Sequence, residues 1–140
     1  SYDAGKDNGA TGSMMWPCPS CHTITSEFGW RYHPIYHTQK YHSGVDIGAS
    51  YGASIVAADG GTVITAGAVS GYGNCVVINH GNGITTLYGH MSSIAVSSGQ
   101  KVSKGQTIGY VGSTGNSTGP HLHWEVTVNG VRQNPLNYAR

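Results

Sequence analysis

Charged side chains are scarce in this sequence. Of its 140 residues, seven are Lys or Arg and six are Asp or Glu, so 9% of the chain is charged, whereas soluble domains typically carry about 25%. The chain has no basic stripe, which excludes a protein that binds nucleic acid by following its phosphates. The scarcity of Glu, Lys and Leu also excludes a coiled coil.

Long hydrophobic runs and a cysteine framework are missing as well. No apolar run approaches the roughly 18 residues of a transmembrane helix, so we expect no transmembrane segment in this chain. Three Cys residues are too few for a disulfide framework, and a chain of this length can bury a core without one. The low charge and the abundance of Ser, Thr, Gly, Asn and Tyr suit an exported protein. Because the chain starts at Ser1 without a signal-like apolar stretch, we interpret it as a processed or excised piece.

Glycine, by contrast, is abundant, with 22 residues. From Ile55 onward, short β-branched runs alternate with Gly-containing turns, of which residues 81–83 and 129–130 are the clearest. This pattern predicts an all-β fold of mostly antiparallel sheets, in a small β-sandwich or barrel-like domain with long loops around a groove.

Two segments depart from this strand pattern. Residues 14–41 are rich in aromatic and turn residues, and we expect them to be irregular. Residues 91–99 are the best helix candidate, although no segment shows a sustained 3.6-residue apolar period. We predict a flexible lead-in over residues 1–13 and one domain over residues 14–140.

Histidine carries the chemical signal, with eight residues against six acids. His42 and Asp46 are four residues apart, His121 and His123 are two apart, and His90 lies between these motifs. On a strand, residues two apart project from the same face. Two neighbouring imidazoles need compensation, which a metal ion or a division into acid and base roles supplies.

An imidazole and a carboxylate are half of a zinc site. His42, Asp46 and one His of the His121/His123 pair would provide the three protein ligands of a catalytic zinc, with an open fourth position for water. The spacing leaves open which member of the pair binds. The other member and His90 would orient or deprotonate that water, or stabilise charge on a tetrahedral intermediate. The remaining histidines, including His80, are expected to be surface or satisfied core residues.

These motifs, taken in order, resemble a known family. His42-Ser-Gly-Val-Asp46, then Tyr88-Gly-His-Met91, then Gly115-Asn-Ser-Thr-Gly-Pro-His-Leu-His123 resemble the M23 zinc metallopeptidases, the lysostaphin- and LytM-like peptidoglycan endopeptidases. The likeness covers about residues 26–137. No metal or catalytic position departs from the family pattern.

The resemblance implies a role for each motif residue. The zinc ligands would be His42, Asp46 and His123, and the catalytic histidines would be His90 and His121. A Tyr shortly before the first ligand often assists at the oxyanion in relatives; Tyr36 is the nearest match here, and Tyr41 is the alternative.

The implied function is that of a zinc-dependent endopeptidase with one Zn²⁺ per chain. It would hydrolyse peptide crosslinks or stem peptides of bacterial peptidoglycan by means of a metal-activated water. We expect a monomer that acts outside the cytoplasm, whether secreted, periplasmic or associated with the cell wall, on a peptidoglycan peptide and not on nucleic acid. The alternative is a non-catalytic cell-wall-binding or regulatory module on the same fold.

The cysteines give a weaker signal. Cys18 and Cys21 form a CxxC pair, for which a disulfide is plausible in an exported protein. A structural zinc site has less support because no second CxxC is present. Cys75 lies in an apolar run and is expected to be a small buried hydrophobe.

Overall fold

The computed structural model describes residues 9–33, 38–115, 117 and 119–140. The described chain is almost entirely β-structure, which confirms the predicted all-β class, and its one helical element is the short 3₁₀ helix Pro135–Asn137. The strands are β1 (Thr23–Ser26), β2 (Gly29–His33), β3 (Thr38–His42), β4 (Val45–Gly48), β5 (Ser54–Val56), β6 (Gly61–Val69), β7 (Gly73–Gly81), β8 (Ile84–Ile94), β9 (Lys101–Val102), β10 (Thr107–Val111), β11 (His121–Val128) and β12 (Val131–Gln133).

The strands form one large sheet and one separate hairpin. The main path of the large sheet runs β1-β4-β11-β8-β7-β6-β9, with β12 paired to β11, β10 paired to β8, and β5 paired to β10. Strands β2 and β3 form the two-stranded hairpin. Every pair between these strands is antiparallel, as predicted.

Strand β11 separates the core from the opposite face. Leu122, Trp124 and Val126 are fully buried in the hydrophobic core. Because side chains alternate along a strand, the other residues of this stretch, His121, His123 and Glu125, project from the opposite face. One strand thus anchors the fold and presents polar groups at the same time.

The turn signals lie where the sequence predicts turns. Asn82 and Gly83 connect β7 to β8 with φ values of 52° and 77°, and Asn129 and Gly130 connect β11 to β12 with φ values of 50° and 80°. Two consecutive residues with positive φ are typical of the hairpin turns whose twist matches that of the strands.

Two of the sequence predictions are wrong. Residues 14–41 are not simply irregular, because they contain β1, β2 and most of β3. Residues 91–99 contain no helix. Met91 to Ile94 continue β8 and pair with β10, and Met91 is completely buried. Both errors have the same cause, since pairing with distant strands outweighs the weak local preference of these segments.

Before β1, the chain packs on the sheet. Thr11 and Gly12 donate backbone hydrogen bonds to the carboxylate of Asp59, and Trp16 packs edge-on against Trp124 at 6.0 Å between ring centroids. Cys18 and Cys21 are free thiols in this structure, and Cys75 is fully buried as predicted. In the described part of the chain, no helix is long and apolar enough to cross a membrane.

His80 is a satisfied core histidine, as expected. Its Nδ1–H donates to the carbonyl of Gly60 at 2.8 Å, and its Nε2 accepts from the Thr86 hydroxyl at 2.8 Å. Burial lowers the pKa of His80, since the charged form loses its hydration. The imidazole is therefore held neutral inside the fold.

We expect His80 to make the fold sensitive to acid. Because its pKa is lower in the folded state, the stabilising contribution of this imidazole is complete above the unfolded-state pKa of about 6.5. The contribution declines as the pH falls below that value. The free energy of unfolding, measured with urea between pH 8 and pH 5, should fall less steeply for His80→Gln than for the wild type. Equal slopes for His80→Gln and the wild type would contradict this role.

Candidate active site

Three separate segments bring His42, Asp46 and His123 together. His42 ends β3, Asp46 lies on β4, and the register of β4 with β11 places Asp46 directly opposite His123. His42 Nε2 lies 3.4 Å from Asp46 Oδ2, and His123 Nδ1 lies 2.9 Å from Asp46 Oδ1. One potential ligand atom from each residue lies within 4.8 Å of the others.

One ring nitrogen of each of these histidines faces Asp46 at the centre of the group. His42 Nδ1–H donates to the carbonyl of Glu27 at 3.0 Å, so Nε2 is the nitrogen turned towards Asp46. His123 contacts Glu125 Oε2 through Nε2 at 2.8 Å, so Nδ1 is the nitrogen turned towards Asp46. Two imidazole nitrogens and a carboxylate oxygen that converge in this way suit zinc, which accepts three protein ligands of these types.

His90 and His121 lie beside this group as a pair. Their ring centroids are 4.7 Å apart. His90 Nδ1–H donates to the carbonyl of Thr114 at 2.6 Å, and His121 Nδ1–H donates to the carbonyl of Gly119 at 2.9 Å. Each ring therefore keeps an Nε2 lone pair as its basic site, and His121 Nε2 lies 3.5 Å from Asp46 Oδ1.

The backbone at His90 is unusual. Its φ of 63° lies in the left-handed region, which non-glycine residues seldom adopt and which is often found at functional sites. The His90 N–H donates to the carbonyl of Tyr72 at 2.7 Å. The turn between β6 and β7 thus holds the backbone that orients the His90 ring.

The electrostatics favour a carboxylate surrounded by imidazoles. Burial would raise the pKa of Asp46, but hydrogen bonds from His123 and His42 outweigh burial and hold it well below its usual range. Burial would lower the pKa of His123, but its hydrogen bonds to Asp46 and Glu125 raise it to about 9. Burial lowers the pKa of His90, which favours the neutral form of that ring at neutral pH.

The two tyrosine candidates have different outcomes. Tyr36 lies outside the described residues. Tyr41, the alternative, is 43% exposed and contacts Phe28 and Trp30, with ring centroids 5.8 Å and 5.2 Å from its own. It precedes His42 in β3 and belongs to an aromatic cluster on the hairpin.

Sequence reasoning missed Glu125, which contacts His123, and the side chains that surround Glu125. Glu125 accepts hydrogen bonds from Ser43 at 2.6 Å and from Tyr72 at 2.7 Å, and its other oxygen lies 3.1 Å from Arg132 Nε. A signal for Glu125 was present, because in a strand it must share the face of His121 and His123. No local signal pointed to Ser43, Tyr72 or Arg132, which come from three other segments.

Gly44 allows these segments to approach. A Cβ at this position would overlap the carbonyl oxygen of Trp124 and lie 2.8 Å from Glu125 Cγ. The loop between β3 and β4 therefore needs glycine here to bring His42 and Ser43 against β11.

Relatives of this chain carry two kinds of name. The chain is 47% identical over 116 residues to the DD-carboxypeptidase/endopeptidase Mpg of Neisseria meningitidis serogroup B, covering 83% of this chain and 27% of that protein. It is 36% identical over 124 residues to the murein hydrolase activator NlpD of Salmonella dublin, covering 88% of this chain and 31% of that protein. The chain thus spans about a third or less of the length of these relatives.

Solved structures show the same fold. A zinc-containing peptidase from Vibrio cholerae superposes with a TM-score of 0.81 at 35% identity, covering 87% of this chain and 39% of that chain. The catalytic domain of lysostaphin from Staphylococcus simulans superposes with a TM-score of 0.74 at 31% identity, covering 84% of this chain and 91% of that chain.

The family model for peptidase family M23 matches residues 40–135. This range contains His42, Asp46, His90, His121 and His123. The resemblance noted from the motifs is confirmed, and the chain belongs to peptidase family M23.

Proposed function

We propose that this chain is a zinc-dependent endopeptidase that hydrolyses peptide crosslinks or stem peptides of bacterial peptidoglycan. One observation carries the proposal: His42, Asp46 and His123 converge on one point, and His90 and His121 form a pair beside it. The domain organisation remains part of the proposal, with a lead-in over residues 1–13 and the catalytic domain over residues 14–140.

In this proposal, zinc is held by His42 through Nε2, by Asp46 through its carboxylate and by His123 through Nδ1. Each of these atoms faces the other two, while the second nitrogen of each imidazole is engaged elsewhere. A zinc ion bound there would act as a Lewis acid towards the scissile carbonyl and a water molecule.

His90 and His121 transfer protons beside the proposed zinc site. Because backbone carbonyls hold both Nδ1–H groups, each Nε2 can take up a proton from the attacking water and return it to the departing amine. A ring that carries this proton also stabilises negative charge on the carbonyl oxygen. The short separation of the two rings lets both act on one peptide bond.

The names of the relatives support the substrate. The 47% identical relative is named a DD-carboxypeptidase/endopeptidase, and the 31% identical solved structure is the catalytic domain of lysostaphin. We infer that the substrate is the peptide part of peptidoglycan and that the chain acts outside the cytoplasm, as a monomer. One relative is named a murein hydrolase activator, which favours a non-catalytic regulatory module as the second candidate.

Digestion of purified sacculi separates the two candidates. We expect the zinc-loaded chain to cut peptide bonds in the sacculi, so that muropeptides obtained by later muramidase digestion carry new peptide termini in mass spectrometry, and a chelator to abolish this cleavage until zinc is restored. Sacculi with direct crosslinks and sacculi with glycine bridges should be compared, since the products identify the bond. Absence of new peptide termini from both kinds of sacculi at full zinc occupancy would favour the regulatory module.

A further inference from the structure

Glu125 is a buried carboxylate to which the proposed reaction gives no task. It is 2% exposed, and a buried charge is costly unless it is fully paired. Ser43 Oγ, Tyr72 OH and His123 Nε2 all lie within 2.8 Å of its Oε2, and Arg132 Nε lies 3.1 Å from its Oε1. Such complete pairing indicates a group with a defined position and not an accidental burial.

The partners of Glu125 come from different parts of the chain. Ser43 lies in the β3–β4 loop beside His42, Tyr72 lies in the β6–β7 turn, and Arg132 lies on β12. Tyr72 also accepts the His90 N–H through its backbone carbonyl, and its ring lies 5.5 Å from that of His123. The carboxylate therefore joins the segments that carry His42, His90 and His123.

We propose that Glu125 is a positioning residue that holds the His123 ring with Nε2–H towards itself and Nδ1 towards the metal. This inference rests on the proposed zinc site. A histidine ligand commonly donates its second N–H to a carboxylate, which fixes the tautomer and the ring orientation and makes the ligand more basic. Ser43, Tyr72 and Arg132 hold the carboxylate in turn, so that it cannot rotate away from His123.

The first test is the affinity for Zn²⁺, measured by competition with a chromophoric chelator. We expect Glu125→Ala to weaken zinc binding by about 10–100-fold, the usual effect of losing such a partner. Glu125→Gln keeps an oxygen that can accept the His123 Nε2–H, so its dissociation constant should stay within about tenfold of the wild type. Tyr110→Phe, which removes a hydroxyl from an exposed tyrosine on β10, is the control and should bind zinc as the wild type does.

The variants that leave Glu125 in place cover the case in which Glu125→Ala does not fold. Ser43→Ala combined with Tyr72→Phe removes two donors to the carboxylate, and we expect a severalfold weaker affinity for zinc. The proposal is overturned if folded Glu125→Ala binds zinc like the wild type, if Glu125→Gln is as weak as Glu125→Ala, or if the Ser43/Tyr72 double variant is unchanged.

A second measurement does not depend on zinc. In the metal-free protein, ¹H–¹⁵N spectra of the imidazole rings should show a slowly exchanging His123 Nε2–H in the wild type and in Glu125→Gln, and its loss in Glu125→Ala. A wild type that binds no zinc but shows this proton would overturn the proposed function and leave the Glu125–His123 contact standing. A rapidly exchanging His123 Nε2–H in the wild type would overturn the role of Glu125.

Discussion

Replacing Asp46 with Ala should remove zinc and activity together. Asp46 contacts His42, His121 and His123 through its two oxygens. Among the described residues, it is the one carboxylate in the group of converging ligand atoms. Because losing an outer partner of a ligand costs about 10–100-fold in metal affinity, losing a ligand should cost more than about 100-fold. Hydrolysis of sacculi should fall below detection.

His42→Ala and His123→Ala should behave in the same way. Zinc content, measured by elemental analysis after dialysis against a weak chelator, should fall from one per chain to near zero in each variant. His22→Ala, at an exposed histidine outside the site, is the control and should keep both zinc and activity. Full zinc occupancy in Asp46→Ala would remove Asp46 from the ligand set.

Replacing His90 or His121 with Ala should separate metal binding from turnover. Both rings hydrogen-bond to backbone carbonyls through Nδ1, and neither belongs to the group of converging ligand atoms. We expect each variant to retain one zinc per chain while kcat falls by about 10²–10⁴-fold, the range of general acid–base and oxyanion contributions.

The matched comparison is His121→Ala with His123→Ala, since the two residues share one face of β11. The first should lose only turnover, and the second should lose zinc as well. If His121→Ala lost zinc as readily as His123→Ala, the division between ligand and proton carrier would be wrong. If His90→Ala kept wild-type kcat, the proposed role of His90 as a proton carrier would be wrong.

Much of the fold could be predicted because its signals are local. Glycine-containing turns and β-branched runs indicated short antiparallel strands, and the turns at 81–83 and 129–130 lie where they were expected. The predictions failed where pairing partners are distant: β1 pairs with β4, and residues Met91 to Ile94 pair with β10. Aromatic and polar segments of this kind take their structure from the strand beside them and not from their own preference.

What the sequence by itself determined is the set of residue types at fixed spacings. A two-residue period forces His121, His123 and Glu125 onto one face of β11 and Leu122 and Trp124 onto the other, whatever the rest of the chain does. Only the tertiary structure decided which of these groups meet. Asp46 reaches His123 across 77 residues through the register of β4 with β11, and Glu125 gathers Ser43, Tyr72 and Arg132 from separate segments. Register and loop approach depend on contacts between distant residues, so no local pattern contains them.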